Sequence, residues 1–329
     1  MDYDDSLLYE VNGRVYRRNP FYKINEKKKN KKIDKTMEDE TKYDSSRGCW
    51  YMKFSVPAEF QGKLVGVKGI NKKTMEKETG CKIFIPNKGD TDTKLEIISK
   101  ISYENVERCK QYIDDVIFEA RSKMPFSHFV SFSFYNNQTL CEKFNLFIKK
   151  VKEVSIGLDA DYFQLPQKLH ITISMLMLVN KDEENIVINK LKTVINDMVR
   201  PLLSGKHSFK IKIKDLCVMN EDPKNANVLY GNVSCPVLQN ISEEINNVLK
   251  ETRFCTDTKE DLNLHLTLLN STFLKKRDGK IRTFDATKII QQLNDFDFGD
   301  IEISKVTLHQ RFANNEDGSY NIIHEESFI

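Results

Sequence analysis

The sequence predicts an α+β protein made of two successive units, and three observations predict it. Residues 51–121 run strand, helix, helix, strand, strand, helix, a complete small domain of about 70 residues. From residue 123 onward strands and helices follow in a mixed order, which fits a sheet with helices packed on its outside. Within that second unit, LHITISML (169–176) and LHLTLLNS (264–271) carry the same interruption, a histidine and a threonine one residue apart in an apolar strand.

The length of 329 residues suits two domains, and 40% hydrophobic with 30% charged residues describes a globular chain with ample core material. A net charge of +3 does not by itself demand a nucleic-acid partner, although basic residues cluster locally. The N-terminus opens acidic and lacks the apolar stretch of a secretory signal. The longest apolar run, around residues 171–179, is too short to span a bilayer, so no membrane association is expected. Seven cysteines are scattered without a C-x-x-C pair or a cysteine–histidine cluster, which points to reduced thiols and to no zinc site.

Residues 1–48 read as largely disordered. They hold KINEKKKNKKIDK (23–35) and then the acidic-rich MEDETKYD (37–44), with little apolar material to bury. The lysine run reads as a solvated linker, or as a nonspecific nucleic-acid or nuclear-import segment. Order is expected from about Trp50, with a first domain over 49–122. YMKFSV (51–56) is a strand and a short helix starts near Ala58. NKKTMEKETG (71–80) is a helix with a glycine at its stop, and CKIFIP (81–86) alternates as a strand does. NKGDTDT (87–93) turns, KLEIIS (94–99) is a strand, and 103–121 places Val106, Cys109, Tyr112, Ile113, Val116 and Ile117 at helical spacing.

KMPFS (123–127) breaks the chain and opens the second domain, 123–329. Its expected elements are strands at 129–135, 210–219, 228–235 and 300–308, helices over about 138–152, 182–200, 237–251 and 285–294, the two H-x-T strands, and a basic loop at 275–282.

The stretch LVGVKG (64–69) sets Gly66 and Gly69 around Val67 and Lys68, between two expected helices. Glycine there lets backbone amides approach a phosphate without an intervening Cβ. With Thr79-Gly80 and CKIFIP following at the right distance, the first unit resembles the type I KH domain, whose G-x-x-G loop clamps single-stranded RNA or DNA. The resemblance implies that Gly66, Val67, Lys68 and Gly69 hold the nucleic-acid backbone and that Lys72, Lys73 and Lys82 add charge. Ile83 and Ile85 would form part of an apolar platform under the bases. Many KH domains carry an apolar residue where Lys72 stands. A plain helix connection, or a KH fold turned to protein contacts, remains the alternative.

In the H-x-T strands alternation sends Leu169, Ile171 and Ile173 one way and His170, Thr172 and Ser174 the other. The second copy sends Leu264, Leu266 and Leu268 one way and His265 and Thr267 the other. Of the six histidines only these two have a hydroxyl residue two positions on. Two such pairs facing one cleft suit a phosphodiester: each hydroxyl donates to a nonbridging oxygen, and each imidazole reaches an entering or a leaving oxygen. Neither metal nor cofactor is needed for that scheme. The alternative is a pair of satisfied structural histidines, with threonine present as a good strand former. His128, in PFSHFVSF, reads as structural, and His207, His309 and His324 lack the pattern.

The duplicated motif resembles the two-histidine (2H) phosphoesterase superfamily, whose bilobal α+β fold places one motif in each half. A KH domain immediately before it resembles the family of KH–2H subunits of the activating signal cointegrator 1 complex. NGRVYRRNP (12–20), VGVKGINKKTMEKET, PFSHFVSF, QKLHITISML, VLYGNV and HQRF fall in that family's order. The resemblance implies that His170, Thr172, His265 and Thr267 are the catalytic set and that Arg14, Tyr16 and Arg17 dock a partner subunit. It also implies a complex with a helicase and other subunits, linked to transcriptional coactivation and repair of alkylated nucleic acid, located in the nucleus. The expected activity is an RNA phosphodiesterase; the rival expectation is a noncatalytic adaptor that keeps a phosphate- or nucleotide-binding cleft.

Overall fold

A computed structural model describes residues 8–11, 14–17, 40–86, 94–256, 262–278 and 282–329. The lysine-rich run and the turn at 87–93 lie outside the described residues. Near the N-terminus β1 (Leu8–Val11) pairs antiparallel with β2 (Arg14–Arg17), a hairpin that holds Arg14, Tyr16 and Arg17 on its second strand.

The first domain is built from β3 (Lys42–Asp44), β4 (Cys49–Ser55), α1 (Ala58–Val65), α2 (Ile70–Thr79), β5 (Lys82–Phe84), β6 (Lys94–Ser99) and α3 (Tyr103–Ser122). Its strands lie antiparallel in the order β3-β4-β6-β5. This is the type I KH arrangement with one addition. The short strand β3 extends the sheet into a region expected to be disordered; its three residues are too few and too polar to alternate visibly. Gly80 ends α2 in the left-handed region (φ 69°), its N–H bonded to the Glu76 carbonyl, and the Ser102 hydroxyl caps α3 at the Asn105 N–H. Met52, Phe54, Phe60, Leu64, Met75 and Ile97 are among the residues that fill the core.

The second domain follows as β7 (His128–Ser133), α4 (Gln138–Val154), β8 (His170–Leu176), α5 (Lys181–Val194), a π-helical turn (Ile195–Val199), α6 (Arg200–Leu202), β9 (Phe209–Val218), β10 (Val228–Val233) and α7 (Pro236–Glu251). It ends with β11 (His265–Asn270), α8 (Ser271–Asp278), α9 (Thr287–Leu293), β12 (Asp300–Ile303), β13 (Lys305–Asn314) and β14 (Tyr320–Ser327). The expected basic loop begins inside α8. Eight strands form one sheet in the order β12-β9-β10-β11-β8-β7-β13-β14, so the two H-x-T strands meet at its centre with three strands outside each.

The single expected strand at 300–308 is two strands divided at Ser304. Strand β12 pairs with β9 at one edge, whereas β13 lies between β7 and β14 near the other. Strands are spaced about 4.8 Å apart, so a chain that passes from one to the other in a single residue requires the sheet to curl until its edges approach. The stacked rings of Phe209 and Phe328, 6.3 Å apart, and the Phe328 N–H bonded to the Ser304 carbonyl close that junction.

The two domains share a buried contact. Arg121, 3% exposed near the end of α3, pairs with Glu183 of α5 at 2.7 and 3.0 Å and donates to the Met177 carbonyl. Its guanidinium also lies over Phe60 of the KH domain and over Phe254 of the second domain, 4.8 and 4.9 Å from the ring centroids. A planar, permanently charged group satisfies a carboxylate and two ring faces at once, which an ammonium cannot. Among the described residues no helix is long and apolar enough to cross a membrane.

Candidate functional site

At the centre of the sheet Leu266 of β11 lies directly opposite Ile171 of β8, and both are fully buried. The antiparallel register therefore sets His265 beside Thr172 and Thr267 beside His170. All four lie on the face opposite Ile171 and Leu266. Both motif strands share a six-residue burial pattern, with the histidine and threonine partly accessible and the residue after each buried.

The two imidazoles are held alike. His170 Nδ1 lies 2.7 Å from the Lys168 carbonyl and His265 Nδ1 lies 2.8 Å from the Asn263 carbonyl, in each case two residues back. A carbonyl only accepts, so Nδ1 carries the proton in each ring. The lone pair of a neutral ring then falls on Nε2.

Each H-x-T is followed by a β-bulge. Ser131 pairs with Thr172 but Val130 with Ser174; likewise Tyr230 pairs with Thr267 but Leu229 with Leu269. Ile173 and Leu268 are the inserted residues, and the local bend parts the two strands. Beyond the motif the seam is taken over by other segments: the Gln164 N–H bonds to the Leu268 carbonyl and the Met177 N–H to the Phe254 carbonyl. The simple alternation expected past Thr172 therefore stops, and Ser174 is buried with its hydroxyl 3.4 Å from Cys255 Sγ. Gly231 is required nearby, because a Cβ there would lie 2.1 Å from Ile213 Cγ2 where the pairing of β10 with β9 shifts register beside Tyr230.

The surroundings of the two histidines differ. The His170 ring packs on Phe129 at 5.0 Å and meets Tyr320 edge-on at 5.6 Å, and Phe129 in turn stacks on His309 at 4.8 Å. Burial pushes His170 down to about 4, with a small addition from His265 and opposition from the Lys168 carbonyl. The same cause lowers the buried His309 to about 3. His265 meets Tyr230 edge-on at 5.1 Å.

Sequence reasoning missed Phe129, His309 and Tyr320 as neighbours of the site. The segments PFSHFVSF and HQRF carried a signal for the first two through family resemblance; nothing marked Tyr320, on a strand that was not foreseen. His128 is buried with its ring 3.7 Å from Glu184 Oε1 and 2.9 Å from the Ser127 hydroxyl.

In the KH domain Gly66, Lys68 and Gly69 all take positive φ (70°, 53° and 76°), and a Cβ on Gly66 would lie 2.6 Å from the Asn71 side chain. Asn71 is fixed there by donating to the Lys63 carbonyl at 2.8 Å. Val67 is thereby thrust outward, 77% exposed, beside exposed Lys68 and Ile70. Lys73 is exposed and Lys72 half-buried, while the exposed Lys82 ammonium stands 3.8 Å from Glu76. One assignment is corrected. Ile83 is 1% exposed and belongs to the core, and Ile85 is half-buried against it; the outward residue of β5 is Phe84, 53% exposed. An apolar alternation identifies an apolar face without saying whether a ligand or the core covers it.

The family model described as AKAP7 2'5' RNA ligase-like domain matches residues 126–328, and the KH domain model matches 51–115. The chain belongs to the AKAP7 2'5' RNA ligase-like family. It joins that domain, of 2H phosphoesterase type, to an RNA-binding KH module. The mouse protein "Activating signal cointegrator 1 complex subunit 1" is 28% identical over 356 residues, which cover 97% of this chain and 98% of that one. An uncharacterized protein of Schizosaccharomyces pombe is 28% identical over 167 residues, 50% of this chain and 77% of that one. Among solved structures, E. coli LigT complexed with 3'-AMP aligns with a TM-score of 0.43 and 13% identity, covering 62% of this chain and 98% of that chain.

Proposed function

We propose that this protein is a metal-independent phosphodiesterase of single-stranded RNA, in which the KH loop presents the strand and the H-x-T residues act on one phosphate. The observation that carries the proposal is the pairing of Leu266 with Ile171, which sets two imidazole–hydroxyl couples side by side. Thr172 and Thr267 donate to the nonbridging oxygens, where charge accumulates as the attacking oxygen bonds to phosphorus. His170 is the base: burial holds it neutral, and Nε2 accepts the proton of the attacking hydroxyl. His265, protonated on Nε2, donates to the oxygen that leaves as its bond to phosphorus breaks.

Gly66, Val67, Lys68 and Gly69 hold the strand's backbone, with Lys72, Lys73 and Lys82 as the charged surround and Phe84 as the apolar surface. Replacing Val67 and Lys68 by Asp is expected to weaken single-strand binding through charge repulsion while leaving the melting temperature unchanged. The similarity to a subunit of the activating signal cointegrator 1 complex supports membership of an equivalent assembly, for which the family resemblance implies a helicase partner and a nuclear location. In it Arg14, Tyr16 and Arg17 dock a partner, which co-purification of a triple alanine variant tests.

Incubation of the full chain with single-stranded RNA, with and without chelator, tests the chemistry. Cleavage that survives chelator and is lost in His170→Ala and His265→Ala is the expected result. Binding without cleavage, for both linear RNA and RNA ending in a 2′,3′-cyclic phosphate, would replace this reading with the adaptor.

A further inference from the structure

Where the motif strands part, a cavity of about 170 Å³ opens beside the H-x-T residues. Thr172 and His265 line it and so belong both to the candidate active site and to the cavity. Its remaining polar groups are Asn246 and Lys250 on the last turns of α7, Asn263 just before β11, and Ser174 past the bulge. Asn246 is only 9% exposed. Met219 and Leu262 supply an apolar wall.

We infer that this cavity is a second subsite, which takes the nucleoside and phosphate adjoining the reacting phosphate of the same RNA strand. The inference rests on the phosphodiesterase reading of the H-x-T residues. At about 170 Å³ the cavity encloses only part of that adjoining nucleotide, the rest of which lies outside it. Its chemistry argues for a nucleotide, because one ammonium suits a phosphate, amides and a hydroxyl suit base edges and ribose, and a thioether with leucine suits a base face. Its position argues for the same strand, since a ligand seated between Thr172 and His265 leads directly into it. The substrate is accordingly an oligonucleotide, and a lone 2′,3′-cyclic nucleotide leaves the subsite empty.

The test is calorimetric binding of two probes to the full chain: uridine 2′,3′-cyclic phosphate, and a uridine dinucleotide that carries a second phosphate on its 3′ end and whose first sugar lacks the attacking 2′-hydroxyl. Lys250→Ala is expected to weaken the dinucleotide about tenfold or more, the scale of a lost charged hydrogen bond, and the cyclic mononucleotide less than twofold. Asn246→Leu shifts the ratio in the same direction, and Lys250→Arg restores dinucleotide binding to within about threefold. Equal losses for both probes, or no loss for either, would overturn the subsite. His170→Ala and His265→Ala are read separately on the cyclic mononucleotide: affinity indifferent to both substitutions defeats the H-x-T reading, whereas the Lys250 ratio judges the subsite alone.

Discussion

The halves of the sheet around β8 and around β11 carry the same local device in different settings. In both, a histidine donates Nδ1–H to the carbonyl two residues back, a threonine follows on the same face, and a bulge then turns the strand away. The β8 half adds Phe129, Tyr320 and His309 around its imidazole; the β11 half offers Tyr230. A repeated motif thus fixes tautomer and orientation twice, and the packing around each copy differentiates two chemically identical groups. Acid–base catalysis needs one imidazole neutral to accept a proton, and burial holds His170 in that form.

The largest expected effect comes from deleting either imidazole. His170→Ala and His265→Ala should each lower kcat/KM by about 10²–10⁴, and the double variant should fall little further, because the two residues act as a unit. Additive losses would separate the halves functionally, and steady-state kinetics of the three variants decides.

Folding stability should register the β8 half next. The folded-state pKa values of His170 and His309, about 4 and about 3, lie below the ordinary 6.5. Above pH 6.5 both states are neutral there. As pH falls from about 6.5 toward 4 the unfolded chain takes up protons that the native state refuses, so stability is lost across that window. The loss is on the order of 3 kcal/mol per buried imidazole. Chemical denaturation between pH 7 and 4.5 checks the slope, which should flatten in His170→Ala.

Tyr320→Ala tests the cover itself. With that ring removed, the His170 proton affinity should rise toward that of a solvated imidazole by about one pH unit. The acidic limb of kcat/KM moves up with it, and NMR titration of the His170 ring reports the shift directly. The smallest change is Tyr320→Phe, which keeps the ring against His170 and deletes only the hydroxyl. It should cost at most about 1 kcal/mol of stability and leave the acidic limb in place.

Much of this site was legible as sequence. Alternation through His170-Ile171-Thr172 and His265-Leu266-Thr267 assigned the polar face correctly, because strand periodicity is local. It failed one residue later, where the bulges at Ile173 and Leu268 exist only in the register against β7 and β10. Tyr320 escaped because β14 is evenly half-buried along its length and has no apolar alternation to find. Ile83 was read outward for a related reason: the pattern Cys81-Ile83-Ile85 is the same whether α2 and β6 or a nucleic acid covers it.

By itself, then, the sequence determined the order of the elements from β4 to β11, the KH loop with its two glycines, and the duplication of the H-x-T strand. Each of these is written in spacing and in backbone preference over a few residues. Only the tertiary structure decided that β8 and β11 meet at the centre of the sheet, that Phe129, Tyr320 and His309 gather around one histidine, and that α7 brings Lys250 to the other side of the opening. Those are contacts between residues far apart in the chain, and the proton affinity of a side chain depends on what surrounds it in space.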